Sequence, residues 1–174
     1  MNLPLILGGP SGTGKSSFGK FLELKGWLYI EVDQFPRDGI ANARLRSEWD
    51  AFWNQCNANP LARELNKRKE DGGAKGVLLS LPGTAVPSLD HLRAADGVAL
   101  IRFLYGHPRY CLKAFLDRER AREKPLDEAH WDANNPGVYC ALSRSAYHPY
   151  LIQVFREDGQ RIPWEDVAKI MEQS

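Results

Sequence analysis

A glycine-rich segment near the start of the chain constrains the fold more than any other feature of the sequence. Residues 9–16 read GPSGTGKS. An apolar run at residues 3–7 precedes this segment, and Phe18, Phe21 and Leu22 follow it at helical spacing. This order predicts a short buried strand, a tight loop and an amphipathic helix.

The segment matches the pattern G-x-x-x-x-G-K-S/T without a mismatch, and we call residues 9–16 the phosphate loop. Glycines let the backbone wrap closely around a polyphosphate, and the start of the helix adds the positive end of its dipole. Lys15 is expected to bind the β- and γ-phosphates, and the Ser16 hydroxyl to bind Mg²⁺. A turn that merely connects two elements is the alternative, and the flanking strand and helix disfavour it. We predict ATP and Mg²⁺ as cofactors, with nucleotide contacts from Gly9, Ser11, Gly12, Thr13, Gly14, Lys15, Ser16 and Ser17.

Strand and helix patterns alternate along the rest of the chain. Further strands are predicted at residues 27–32, 77–81, 98–104 and 151–155. Helices are predicted at residues 16–24, from Gly39 through 45–53, from Pro60 to 71, after Ser88, from Pro108 onward, at 138–147 and at 164–173. Five strands alternating with helices predict an α/β fold, with three layers (α/β/α) around a five-stranded parallel sheet.

Two carboxylates follow the second predicted strand. Glu31 and Asp33 are two residues apart, so on a strand they would share one face at the carboxyl end, where α/β folds bind ligands. The third strand, residues 77–81, contains no acid. Glu31 is therefore a candidate for the Mg²⁺ shell, and Asp33 for the acceptor hydroxyl. The structural alternatives are an Asp33 that only ends the strand and a Glu31 paired with a surface lysine.

A charged stretch at residues 117–124 follows the helix that begins at Pro108. Arg118, Arg120 and Arg122 lie two apart in it, a pattern most often found in a solvated helix end. A polar, turn-prone segment comes next and is long enough to close over a site. Since a guanidinium suits the charge that develops during phosphoryl transfer, we predict a lid at about residues 118–137 with one of these arginines on phosphate.

Together these features resemble the small P-loop kinases of the shikimate kinase and gluconate kinase type, in the nucleoside-monophosphate-kinase-like group. Glu31 and Asp33 look like the family's D-x-D after strand two, and residues 122–126 look like the R-P-L segment of its lid. Residues 142–147 are similar to the helix that carries a substrate-binding arginine, and residues 154–163 to the adenine-side loop.

The resemblance implies Mg-ATP-dependent phosphorylation of a small hydroxylated molecule, with acceptor-binding helices at about residues 36–72. It implies roles on three sides of the site: Asp33, Gly83 and Arg144 for the acceptor, Arg118 or Arg122 from the lid, and Arg161 and Pro163 for adenine. Lys15, Asp33, Arg118 and Arg122 are the catalytic candidates.

The identity of the acceptor stays open at this point. The family's F-R-x-x-E motif is not cleanly present, and Gly83 stands where shikimate kinases have three glycines. Trp49, Phe52 and Trp53 recur at helical spacing in the acceptor-binding segment, which favours core packing. An aromatic ring facing the cleft would instead favour a nucleoside. The alternatives are a nucleotide-binding regulatory module with weak or no turnover, and a nucleoside or nucleotide kinase.

Composition bounds the remaining classes of protein. The chain has 174 residues, which predicts one domain spanning 1–174, and its 23 Lys and Arg nearly balance its 22 Asp and Glu, which argues against a nucleic-acid binder. It has no apolar run long enough to span a membrane and no basic region of a signal peptide. Three scattered cysteines, Cys56, Cys111 and Cys140, fit a reducing compartment and small buried side chains. We expect a cytoplasmic protein, a monomer or weak dimer, whose partner is a small-molecule acceptor.

Overall fold

A computed structural model describes residues 3–34, 42–124 and 128–173. Within these ranges the elements in chain order are β1 (Leu5–Gly8), α1 (Lys15–Leu24), β2 (Leu28–Glu31), α2 (Ala43–Gln55), α3 (Ala58–Asp71), β3 (Val77–Ser80), α4 (Leu89–Ala95), β4 (Leu100–Tyr105), α5 (Pro108–Ala121), α6 (Glu128–Leu142), β5 (Leu151–Gln153) and α7 (Trp164–Gln173). Short 3-10 turns cover Val32–Gln34 and Ser145–Tyr150.

The strands form one sheet in the order β2-β3-β1-β4-β5. Both β1 and β2 pair with β3 in parallel, so that Leu5 and Tyr29 each lie opposite Leu78. The pair β4 and β5 is also parallel. Every residue of β1 and β3 is buried, as is usual for strands of a parallel sheet. The predicted α/β fold with a five-stranded parallel sheet is confirmed.

The chain divides into two compact units. The first comprises Met1–Leu7, Ser16–Pro82 and Pro87–Ile101, and the second comprises Gly8–Lys15, Gly83–Val86 and Arg102–Ser174. Most of the phosphate loop, the whole of α5, α6 and α7, and the loop before α7 therefore belong to the second unit. The strand β2 and the helices α2 and α3 belong to the first.

An ion-pair network joins the helices α2 and α3 of the first unit. Glu64 on α3 is 6% exposed and lies 3.1 Å from the Arg44 guanidinium and 2.9 Å from that of Arg68. Arg68 also donates to the Asn42 side chain at 2.6 Å, just before α2 begins. The two guanidinium groups offset part of the desolvation of the buried carboxylate. Leu45, Leu61 and the neighbouring apolar side chains complete the packing of these helices.

The segment 125–137, predicted to be a polar loop, is helical from Glu128 onward. Its first residues, 125–127, lie outside the described residues and include part of the predicted R-P-L segment. Asn134, Asn135, Pro136 and Gly137 favour turns, which led to the wrong prediction. Trp131, Asn135, Val138 and Leu142, however, recur at helical spacing and are all buried. Burial of this face outweighs the hydrogen bond that Pro136 removes from the helix.

Other boundaries also differ from the predicted ones. The helix expected at 138–147 ends at Leu142, and a 3-10 turn follows it. The helix expected to begin at Pro60 begins at Ala58, and β5 ends at Gln153, two residues early. Gly39 and residues 36–41 of the predicted acceptor-binding segment lie outside the described residues.

The three cysteines differ in burial. Cys111 is buried, as predicted, but Cys56 is only half-buried and Cys140 is exposed on α6, so the prediction of buried side chains is wrong for these two. All three are free thiols. Among the described helices, none is both long and apolar enough to cross a lipid bilayer.

The aromatic side chains of α2 differ in burial. Phe52 is 0% exposed and its ring lies edge-on to His91 of α4, with 5.0 Å between the ring centroids. Trp49 and Trp53 are half-buried, and their rings stack at 5.2 Å. His91 caps α4 by accepting from the Ser88 backbone N–H at 3.2 Å, and its other ring nitrogen lies 3.0 Å from the Trp53 carbonyl. Phe52 is therefore a core residue.

Replacing Phe52 with alanine should lower the free energy of unfolding by about 3–5 kcal/mol, the usual loss at a fully buried phenylalanine. Urea unfolding followed by circular dichroism measures it. Trp49→Ala is the control, because this half-buried ring should lose less. A loss for Phe52→Ala no larger than that for Trp49→Ala would contradict the assignment of Phe52 to the core.

Candidate nucleotide-binding site

The backbone of the phosphate loop adopts conformations that glycine alone accepts readily. Gly9, Gly12 and Gly14 have φ angles of 128°, 86° and 90°. A Cβ at Gly9 or Gly12 would collide with the backbone carbonyl of Leu104 or Cys111, and one at Gly14 would lie 2.8 Å from the Trp164 ring. The glycines are thus required both for the turn and for the close approach of β4, α5 and α7.

Lys15 places its charge on the loop itself. Its ammonium group donates to the Gly9 carbonyl at 2.6 Å and lies 3.4 Å from the Pro10 carbonyl. The Pro10 carbonyl also accepts from the buried Thr13 hydroxyl at 2.8 Å. Carbonyl oxygens are weaker partners for an ammonium group than phosphate oxygens, so a bound polyphosphate would compete for Lys15.

Arg161, in the loop before α7, binds the same segment from outside. Its guanidinium donates to the Thr13 carbonyl at 2.7 Å and to the Gly12 carbonyl at 3.1 Å. The rings of Phe155 and Trp164 lie 4.4 Å and 5.0 Å from the guanidinium carbon. Burial lowers the pKa of Arg161 from its usual value, yet an arginine stays charged at neutral pH.

These hydrogen bonds fix the direction of the next backbone amides. In a trans peptide the carbonyl and the following N–H point in opposite directions. With the Gly12 and Thr13 carbonyls on Arg161, the N–H groups of Thr13 and Gly14 therefore point away from it, and the Thr13 N–H donates to the Pro10 carbonyl at 3.4 Å. Successive N–H groups turned to one side form an anion-binding concavity. The sequence predicted Arg161 on the adenine side, and the structure places it on the loop carbonyls.

The other residues predicted around the nucleotide take varied positions. Gly83 lies close to Ser11, because a Cβ there would be 2.6 Å from the Ser11 hydroxyl. Pro163 is exposed directly before α7 and accepts from the backbone of Asp166 at 3.0 Å. Ser17 is exposed on the first turn of α1.

Two side chains of α6 contact the phosphate loop at Ser11. The Asn135 side chain accepts from the Ser11 backbone N–H at 2.7 Å, and the Trp131 indole N–H lies 3.4 Å from the Ser11 carbonyl. Asn135 was not predicted as a site residue, because the turn-favouring residues around it indicate a loop. The helical spacing of Trp131, Asn135 and Val138 was the available signal.

Ser16 and Glu31, the predicted metal ligands, belong to a polar cluster in the first unit. The Tyr29 hydroxyl donates to the Glu31 carboxylate. The hydroxyls of Ser16 and Ser80 hydrogen-bond to the same Tyr29 hydroxyl. Burial raises the pKa of Tyr29 above its usual value, and the bond to Glu31 adds to the rise, so the phenol stays protonated. The ring is pressed against Gly19 of α1, where no side chain would fit. Sequence analysis also missed Tyr29.

The oxygen donors of this cluster suit Mg²⁺, which binds proteins through one or two oxygen ligands and keeps the rest for phosphate and water. Across residues 3–34, 42–124 and 128–173, no three His, Cys, Asp or Glu side chains come together in a way that could hold a metal ion.

Asp33 does not share a strand face with Glu31, as the sequence had suggested. β2 ends at Glu31, and Asp33 lies with an exposed side chain in the 3-10 turn that follows. The change of backbone conformation removes the two-residue alternation on which that expectation depended. Asp33 still stands at the carboxyl end of β2.

The predicted arginines lie on two different parts of the second unit, the end of α5 and the start of the 3-10 turn at Ser145–Tyr150. Arg118 binds Glu119, its neighbour on α5, at 2.8 Å, and its guanidinium lies over the Phe115 ring at 5.0 Å. Arg122 is exposed at the end of α5, and Arg144 is exposed just before the 3-10 turn that contains Tyr147.

The chain was compared with known proteins. No family model matches it, and no curated protein matches it. Among solved structures, it is similar to a gluconokinase from Sinorhizobium meliloti 1021, with 19% identity over 99% of this chain and 95% of that chain and a TM-score of 0.51. It is also similar to shikimate kinase from Acinetobacter baumannii in complex with shikimate, with 20% identity over 98% and 92% and a TM-score of 0.51. An uncharacterized protein from Eubacterium ventriosum ATCC 27560 has 14% identity over the whole of both chains and a TM-score of 0.55. The chain therefore has the α/β P-loop NTPase fold.

Replacing Arg161 with methionine should weaken nucleotide binding about 10-fold. Methionine retains apolar volume between Phe155 and Trp164 but loses both hydrogen bonds to the loop carbonyls, and 1.4 kcal/mol corresponds to 10-fold in Kd. Calorimetric titration with Mg-ADP measures the change. Arg156→Met, at an exposed arginine of the same region, is the matched control. Equal affinities for the two variants would contradict the role of Arg161.

Replacing Tyr29 with phenylalanine tests the prediction that Glu31 binds Mg²⁺. It should raise the Mg²⁺ concentration needed for half-maximal effect on ADP binding by about 10-fold, the low end for losing a hydrogen bond to a metal ligand. The ring and its packing on Gly19 remain. Tyr110→Phe is the control, since the Tyr110 hydroxyl donates to the Glu157 carbonyl at 2.9 Å. An unchanged Mg²⁺ requirement in Tyr29→Phe would remove Tyr29 from the metal site.

Proposed function

We propose that the chain is a kinase that transfers the γ-phosphoryl group of ATP to a hydroxyl group of a small molecule. The observation that carries the proposal is the geometry of the phosphate loop. Its three glycines have positive φ angles, and Arg161 holds two carbonyls so that the following amides point the other way. This arrangement suits a polyphosphate.

The fold supports the same proposal at a coarser level. Two of the similar structures carry the names gluconokinase and shikimate kinase, and both match nearly the whole of this chain. Those names describe phosphorylation of small hydroxylated acids. The resemblance of the sequence motifs to small P-loop kinases leads to the same reaction class.

The proposed reaction is an in-line displacement at phosphorus. A lone pair of the acceptor hydroxyl forms a bond to the γ-phosphorus, the bond to the β,γ-bridging oxygen breaks, and ADP leaves with the electron pair. Asp33 takes the proton of the hydroxyl as a general base. Lys15 exchanges its carbonyl partners for the β- and γ-phosphates.

Mg²⁺, when bound with ATP, would neutralise charge on the phosphates. Ser16 and Glu31 are the residues proposed to hold it, and the Tyr29 hydroxyl orients the Glu31 carboxylate. Oxygen donors with a hydrogen-bonded neighbour are the expected surroundings of such an ion.

The remaining arginines are proposed to neutralise anionic groups. Arg118 or Arg122 would balance the charge that develops on the transferred phosphoryl group. For Arg118 this requires exchange of Glu119 for phosphate. Arg144 and Gly83 are proposed on the acceptor side, where a guanidinium favours an acceptor that also carries a carboxylate.

A nucleotide-binding regulatory module with weak turnover is a second candidate. The observation that favours it is the ion pair between Arg118 and Glu119, which engages a predicted lid arginine on its own helix. The two candidates differ in one measurable property, since only the kinase consumes ATP faster when the right hydroxylated acceptor is added.

Asp33→Asn should lower acceptor-dependent ADP formation at least about 100-fold, the usual scale for losing a positioned base. Binding of Mg-ADP should stay within about 3-fold, since Asp33 is not proposed to touch the nucleotide. A coupled assay against a panel of sugar acids and polyols measures the first quantity. Asp96→Asn, at an exposed aspartate after α4, is the control.

Full transfer activity in Asp33→Asn would exclude this carboxylate as the base. Absence of acceptor-stimulated turnover by the unaltered chain, together with tight Mg-ADP binding, would support the regulatory module instead.

A further inference from the structure

Both polar groups of the Ser11 main chain are bonded to α6. The N–H donates to the Asn135 side chain at 2.7 Å, and the carbonyl lies 3.4 Å from the Trp131 indole nitrogen. Asn135 is 1% exposed, and its amide nitrogen donates to the Trp131 carbonyl at 2.9 Å. Ser11, Trp131 and Asn135 therefore form a closed hydrogen-bond network, which we call the Ser11 clasp.

The clasp determines the orientation of the peptide between Pro10 and Ser11. Because the N–H points to Asn135, the Pro10 carbonyl points the opposite way. That carbonyl accepts from the Thr13 hydroxyl at 2.8 Å and lies 3.4 Å from the Lys15 ammonium group. Rotation of this one peptide would break the bonds that its carbonyl accepts from Thr13 and Lys15 and would take the Ser11 N–H away from the buried Asn135 side-chain oxygen.

The orientation matters because the neighbouring residues are otherwise easy to rearrange. Gly9 and Gly12 flank the Pro10–Ser11 peptide, and glycine has more backbone freedom than any other residue. An unrestrained loop would have to be ordered when a ligand binds, which weakens binding. Hydrogen bonds from a buried side chain on a helix remove that cost before the ligand arrives.

We propose that Asn135 is a positioning residue that holds the phosphate loop in its binding-ready shape and thereby sets nucleotide affinity. The inference rests on the proposed function only in requiring that the loop binds nucleotide. It does not depend on the acceptor or on the transfer step. Since the Ser11 N–H is taken by Asn135, the phosphate contacts come from the amides after it, at Gly12 and beyond.

The chain offers a matched control one residue away. Asn134 makes the same type of bond, from its amide nitrogen to the carbonyl four residues earlier, His130, at 2.7 Å. These hydrogen bonds of Asn134 stay within α6. Asn134→Ala and Asn135→Ala therefore remove the same side chain from the same helix, and only the second removes a contact with the phosphate loop.

Calorimetric titration with Mg-ADP should show a Kd about 10-fold higher for Asn135→Ala and within about 2-fold for Asn134→Ala. In turnover assays KM for ATP should rise with Kd, while kcat falls less than about 3-fold, because the loop still reaches the same shape once saturated. Hydrogen exchange of residues 9–14 should become faster in Asn135→Ala alone.

Trp131→Phe is the second variant, for the case that Asn135→Ala does not fold. It keeps an aromatic ring in the cluster with Cys111 and Phe115 and removes the indole N–H together with part of the ring volume. It should raise the Kd by about 3-fold, since it removes the longer of the two bonds. Equal Kd values for Asn134→Ala, Asn135→Ala and Trp131→Phe would overturn the inference, with the proposed function intact.

A chain that binds Mg-ADP but never transfers phosphate would overturn the proposed function alone. A chain that binds no nucleotide at all would overturn both.

Discussion

The shape of the phosphate-loop backbone depends on the side chains that hydrogen-bond to its carbonyl groups. Gly12 and Thr13 point their carbonyls to Arg161, Gly9 and Pro10 point theirs to Lys15, and the Ser11 carbonyl faces Trp131. Except at Gly9, which is followed by a proline, each of these bonds fixes the opposite direction for the next N–H group. Without these hydrogen bonds, the glycines would leave the loop free to adopt several backbone conformations in the absence of a ligand.

Apart from Lys15, the side chains that hydrogen-bond to the loop backbone come from distant parts of the second unit. Arg161 lies in the loop before α7, and Trp131 and Asn135 lie on α6. The cation of Arg161 is itself held by the rings of Phe155 and Trp164. The tertiary packing of this unit therefore holds the loop in its shape. Substitutions at residues that do not contact the nucleotide should for this reason change nucleotide affinity. The hydroxyl cluster around Tyr29 plays the equivalent part for Ser16 and Glu31 in the first unit.

The features that the sequence predicted well depend on residues that are close together in the chain. The glycine spacing, Lys15 and Ser16 define the phosphate loop within eight residues, and alternating apolar runs define the sheet. α6 was misassigned because local turn preferences at Asn134–Gly137 compete with a buried face that only tertiary contacts reward. Arg161 and Asn135 contact residues more than one hundred positions away, and no local pattern records such pairs. Glu31 was predicted as a site residue because it is an acid at the end of a strand. Its partner Tyr29 was not predicted, because tyrosine is common in strands and indicates no function there.

Residues 9–16 are expected to have the shape of a phosphate site before any ligand binds. Calorimetric titration of Mg-ADP into the unaltered chain and into Lys15→Ala tests this expectation. We expect the unaltered chain to have one saturable site. The Kd of Lys15→Ala should be at least about 30-fold higher, equivalent to about 2 kcal/mol for a charge-assisted hydrogen bond. Melting temperatures of the two proteins, measured alongside, exclude a loss of folding as the cause. Equal binding by both proteins, or no binding by the unaltered chain, would contradict it.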